Sequence, residues 1–132
     1  ILATPREDDL AQTIHQMGMV PDPDAIHTTR KRIKTELGAA LTPTLTALFD
    51  AMHTPGPYSP DADAAGKRAL RGAVLDLISL NDDGALASEL FASADNMTER
   101  LNALTALLGA GEGAAELGTF YDRWTDDRLV LD

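Results

Sequence analysis

Ser93-Ala94-Asp95-Asn96-Met97-Thr98-Glu99-Arg100-Leu101 is the stretch whose reading decides the fold. Asp95 or Asn96 can cap the free backbone N–H groups of a new helix. Glu99 sits three residues past Asn96, the reciprocal spacing of a capping box with Asn in place of Ser or Thr. Met97, Leu101, Leu104, Leu107 and Leu108 then recur at helical spacing and predict one apolar stripe. The helix is amphipathic and well started, and it carries no chemistry of its own.

The same grammar repeats outward from it. Upstream, Asn81-Asp82-Asp83-Gly84 turns the chain into a helix holding Leu86, Leu90 and Phe91. Downstream, Gly109-Ala110-Gly111-Glu112-Gly113 breaks the helix, and the next brings Leu117, Phe120, Tyr121 and Trp124. Farther upstream, Ser59 caps what reads as the longest helix, from Pro60 to about Leu80. Its stripe is Leu70, Ala73, Val74, Leu77 and Ile78, with Lys67, Arg68 and Arg71 near the outside. Before it, three prolines and a glycine in the eight residues His53–Pro60 forbid helix and mark a possible internal break at 53–60.

Toward the N-terminus, Thr4-Pro5-Arg6-Glu7 reads as a cap, a first-turn proline and a capping-box glutamate, opening a helix with Leu10, Ile14 and Met17 that stops at Gly18. Asp22 caps the next helix with Pro23 in its first position. It carries Ile26, Arg30, Ile33, Leu37 and Leu41, with the Arg30 stem on the core and its head wet. Thr42-Pro43 restarts the chain with Leu45, Leu48, Phe49 and Met52 inward; Pro43 permits a separate helix or a kink in one. Gly72 and Gly118 fall inside helical patterns at a cost of about 1 kcal/mol each against Ala, so close helix approaches would explain them.

Composition agrees. Hydrophobic residues make up 44% of the 132 but aromatics only 5%, so Leu and Ala do the packing. That favours an all-α fold over a β-sandwich, which draws on Val, Ile, Tyr and Phe. The length suits a single helical domain, 1–132. Short connections make sequential helices antiparallel. About seven helices result, without a clean internal repeat, so periodicity alone leaves solenoid and irregular bundle both open.

With 21 acidic against 11 basic residues the net charge is −10, which disfavours nucleic acid and anionic membrane partners. The basic run Arg30-Lys31-Arg32 with Lys34 reads as a solvated helix face. There is no cysteine, hence no disulfide or thiolate metal site. No apolar run reaches the roughly 18 residues of a membrane span, and no signal peptide is visible. The start at Ile1 and the end at Asp132 after an apolar triplet suggest a piece of a longer protein.

The segment Asp95-Asn96-Met97-Thr98-Glu99-Arg100-Leu101-Asn102-Ala103-Leu104 resembles part of the C-terminal helical domain of the bacterial aminopeptidase N family of zinc metallopeptidases. Two further stretches match in the family's order: Tyr58-Ser59-Pro60-Asp61 with Gly66-Lys67-Arg68-Ala69-Leu70, and Phe120-Tyr121-Asp122-Arg123-Trp124 with Leu129-Val130-Leu131-Asp132. The resemblance runs from about Pro21 to Asp132. It implies a superhelix of stacked helical pairs, an armadillo-like α-solenoid. It also implies a cytoplasmic parent enzyme that removes N-terminal residues, basic or alanyl, from peptides. The helical domain would close over the catalytic domain and restrict entry, so its partners would be the rest of its own chain and the parent's peptide substrates.

The family's His-Glu-x-x-His is missing. His15, His27 and His53 lie 12 and 26 residues apart, so no two share a helix face one turn apart. The family's Gly-x-Met-Glu-Asn motif is missing as well. Asp61-Ala62-Asp63-Ala64-Ala65-Gly66 imitates a calcium loop, but Gly72 stands where a bidentate Glu is needed. Asn96-Met97-Thr98 is formally a glycosylation acceptor placed at a helix start. No Ser/His/Asp arrangement stands out. The expectation is therefore no catalytic, cofactor-binding or metal-binding residue in this chain, with zinc confined to the parent enzyme. Leu129, Val130 and Leu131 are expected to have nothing to pack on. The alternative is a stand-alone acidic α-helical module that binds a basic partner.

Overall fold

A computed structural model describes residues 4–131, with side chains placed through Val130. Expectations that fall on Ile1, on the Leu131 side chain and on Asp132 lie outside the described residues. Among the described residues seven helices form: α1 (Glu7–Gln16), α2 (Pro23–Ala51), α3 (Ala62–Ile78), α4 (Ala85–Ser93), α5 (Met97–Ala110), α6 (Ala114–Trp124) and α7 (Arg128–Leu131). No strand occurs among the described residues. The fold is all-α, as the composition predicts, but the helices are not quite the expected set.

The stretches on either side of Pro43 form one continuous helix of 29 residues, the longest in the chain. Proline lacks the N–H that would bond the carbonyl of Ala39, four residues back. The Thr42 hydroxyl sits 3.1 Å from that carbonyl and 2.9 Å from that of Gly38, so the side chain beside the proline supplies a donor. The helix read as longest is shorter than expected. Asp61, not Ser59, caps α3 by accepting from Ala64 N at 2.9 Å, and Ser59 instead donates to the Asp61 carboxylate. Thr4 does not cap α1 either, whose first residue is Glu7 and whose N-cap, Arg6, makes no side-chain bond.

Helix α3 packs against both α2 and α5, and α4 packs against α5. Along α2 and α3, Phe49 faces Arg71 while Gly38 faces Leu77, so this pair is antiparallel. In α4 and α5, Gly84 meets Leu107 while Ala94 meets Arg100, again antiparallel. Between α3 and α5 the order is different: Arg71 meets Glu99, Gly72 meets Asn102 and Asp76 nears Gly109. The second helices of two successive hairpins thus lie side by side and parallel, which is a stack of helical pairs.

A helix covered on two sides buries more than one stripe. Leu75 of α3 is fully buried beside Val74 and Leu77, whereas Ala73, expected inside, is exposed. On α5 the buried face is Ala103, Leu104, Ala106 and Leu107, while Leu101 and Leu108 from the expected stripe are 42% and 45% exposed. Close approach explains two glycines. A Cβ on Gly72 would lie 2.5 Å from the Asn102 amide, and one on Gly38 would lie 2.5 Å from the Leu77 carbonyl oxygen. Gly118 meets nothing within 4 Å, so no close approach accounts for it.

Candidate functional site

The polar centre of the molecule lies where the 53–59 loop crosses α3 and the start of α5. Two adjoining clefts of about 230 and 330 Å³ open there, sharing His53, Thr54, Pro55, Gly56 and Asp95. Arg68 and Arg71 reach them from α3, and Asn96 and Glu99 from α5.

Arg68 and Arg71 were expected near the outside, yet they are only 3% and 9% exposed. They occupy positions that extend the buried face of α3 toward its N-terminus, since 68, 71, 75 and 78 follow helical spacing. That spacing was legible; the charge of the residues argued against using it. The Arg71 guanidinium pairs with the buried Glu99 carboxylate, donates from Nε to the Phe49 carbonyl at 3.2 Å and lies 4.1 Å over the Phe49 ring. Arg68 donates to the Ser59 carbonyl at 2.8 Å and lies 4.5 Å over the Tyr58 ring. The loop is thereby tied to α3 by charge, hydrogen bond and cation–π contact.

Glu99 does two jobs. Its backbone N–H donates to Asn96 Oδ1 at 3.0 Å, and its Oε2 accepts from the Asn96 side-chain amide at 3.1 Å. The N-cap half of the expected capping box forms, but Glu99 reaches back to the Asn96 side-chain amide rather than to its backbone N–H, and its other oxygen meets Arg71. Each charged group at this centre is engaged by a neighbour, so the arrangement works as an electrostatic latch between loop, α3 and α5.

The structure does not bring the three histidines together. His15 is on α1, His27 on α2 lies 3.1 Å from Glu7 Oε1, and His53 lines the clefts. Among the described residues no three His, Cys, Asp or Glu side chains are grouped to hold a metal ion. The calcium-loop lookalike is a helix start: Asp61 caps, and Asp63 pairs with Lys67 at 2.7 Å. The Ser59 hydroxyl and then the Ala64 N–H hold the Asp61 carboxyl below the usual aspartate range.

The basic run is not merely a solvated face. Arg30 donates to the Pro5 carbonyl and to Glu7, both at 2.8 Å, and to the Thr4 hydroxyl at 3.3 Å, so its head clasps α1 instead of resting in water. Lys34 pairs with Asp76 of α3, while Lys31 and Arg32 remain exposed. At the other end Val130 packs against the core, contrary to expectation, and Leu129 is 96% exposed.

A family model described as "Domain of unknown function (DUF3458_C) ARM repeats" matches residues 1–132. Aminopeptidase N of Caulobacter vibrioides is 34% identical over 137 residues, covering 100% of this chain and 15% of that protein. Aminopeptidase N of Escherichia coli is 28% identical over 137 residues with the same coverage, 100% and 15%. The chain therefore spans about 15% of the length of the curated relatives it matches.

Proposed function

This chain belongs to the DUF3458_C family of ARM-repeat domains, a C-terminal domain of the aminopeptidase N family, and from that membership we propose that it is a non-catalytic part of a zinc exopeptidase. The parent enzyme removes N-terminal residues from peptides, with its zinc and catalytic groups outside these 132 residues. This stack of helical pairs shapes and restricts the path of peptides to that centre. Its partner is the remainder of its own polypeptide, residues 1–132 act as one unit across the 53–60 loop, and the setting is cytoplasmic. No described helix is long and apolar enough to cross a membrane.

The observation that carries this reading is a family match along the whole chain, in a sequence that contains no His-Glu-x-x-His. Assays with alanyl and arginyl reporter substrates test it. The parent enzyme should turn them over and lose activity in a chelator, and the 132-residue chain should be inactive throughout. Turnover by the chain alone that persists in a chelator overturns the proposal. For the access role, a parent enzyme lacking this region should gain activity on long peptides relative to dipeptides. An unchanged ratio rejects it.

A further inference from the structure

The outer helices line up as the inner ones do. Ser88 of α4 donates to Glu116 near the start of α6 at 3.0 Å. Farther along both helices, Phe91 and Ala92 share a cleft with Thr119, Phe120 and Arg123. The two sets of contacts ascend together, so α6 runs parallel to α4 and extends that row, as α5 extends the row begun by α3. Helix α6 is thus placed as the first helix of a third hairpin.

Helix α7 is placed as the start of that hairpin's second helix. Residues 94–96 join α4 to α5, and residues 125–127, an equal number, join α6 to α7. Asn96 accepts from the Glu99 backbone N–H, and Asp127 accepts from that of Leu129, both at 3.0 Å. Val130, in this first turn, already packs against the core.

Helix α5 has a side that fits such a neighbour. Its Glu99, Asn102 and Gly109 turn toward α3, and its Arg100 and Leu107 toward α4. At 3.6 residues per turn, Leu101 and Leu108 point roughly 120° away from the first set and roughly 100° away from the second. Both are left exposed, so α5 carries a third, apolar side.

We propose that this side of α5 seats the polypeptide that follows Leu131 in the parent protein. There α7 continues as a helix antiparallel to α6 and parallel to α5, repeating the α3–α5 contact one step along the stack. The proposal rests on reading this chain as part of a longer protein, and it spans only about 15% of its curated relatives. Equal turns set the register: Leu101 faces residues just past Leu131, and Leu108 faces residues about two helical turns later.

A photoreactive residue in place of Leu101 or, separately, Leu108 in the full-length parent tests this, with cross-linked peptides mapped by mass spectrometry. The expected captures follow Leu131 in that order. Reversed order, capture of any other segment, cross-linked dimers or no capture overturns the proposal. Smaller probes cover the case in which these side chains disturb folding, since the chain has no cysteine of its own. Leu101→Cys and Leu108→Cys should react with a maleimide at least about tenfold more slowly in the parent than in a parent ending at residue 132. Ala103→Cys, at a fully buried position, should stay protected in both and so report an intact fold. Equal rates at Leu101→Cys and Leu108→Cys with Ala103→Cys protected overturn the proposal. Neither readout uses peptidase activity, so a parent that hydrolyses no peptide refutes the proposed function without touching this result.

Discussion

Arg71 and Glu99 show why a single residue's role escapes a reading of hydropathy. Both are charged, both are nearly buried, and each satisfies the other. Removing one partner leaves an uncompensated buried charge. Glu99→Ala is therefore expected to lower unfolding free energy by about 3–5 kcal/mol in urea titrations. Glu36→Ala, which breaks the exposed pair with Arg32, should leave stability nearly unchanged. Equal effects would mean that the buried pair is no latch. Glu7 makes a different prediction. Hydrogen bonds from His27 and then Arg30 hold its carboxyl below the usual glutamate range. A depressed carboxyl contributes stability above its ordinary value and loses it as pH falls through the lowered one. The clasp between α1 and α2 should thus open in acid, seen as faster amide exchange in α1 while α3 stays protected. Glu7→Gln should remove that pH dependence.

At the level of the helices, close packing separates glycines that sequence alone treats alike. Gly38→Ala drives a Cβ against the backbone carbonyl of Leu77, which cannot swing away, and should destabilise by about 1–3 kcal/mol. Gly72→Ala should cost less, because the Asn102 side chain can move, although it gives up its bond to the Arg68 carbonyl. Gly118→Ala meets open space and should raise stability by up to about 1 kcal/mol through helix propensity. Thermal or urea denaturation of the three variants checks the order, and a neutral Gly38→Ala would refute the close approach. Pro43 belongs to the same scale. The Thr42 hydroxyl compensates only part of the missing bond, so Pro43→Ala should stabilise α2 by about 1–3 kcal/mol.

Across the whole molecule, two hairpins stack with α3 and α5 parallel at the centre, while α1 and α6 hold the flanks with fewer buried residues. Stability should therefore be uneven. Hydrogen exchange is expected to be slowest in α3 and α5 and faster in α1, as a quasi-linear stack requires of its edges. Uniform protection would argue for a closed bundle instead.

The sequence by itself determined that the chain is helical, where most helices start and stop, and which family it resembles. Asn96 before Met97, Asp22 before Pro23 and the glycines at 111 and 113 are local signals, and local backbone chemistry obeys them. The tertiary structure alone decided which faces are inside. Arg68 and Arg71 turn inward because α3 is covered by both α2 and α5, and Leu101 and Leu108 stay out because the α5 contact runs along Ala103 and Ala106. Thr42 beside Pro43, and Asp61 rather than Ser59 at the head of α3, settled boundaries for which the sequence offered two donors or acceptors within reach. Burial is a property of neighbours far along the chain, so periodicity could count the stripes but could not say how many partners each helix would have.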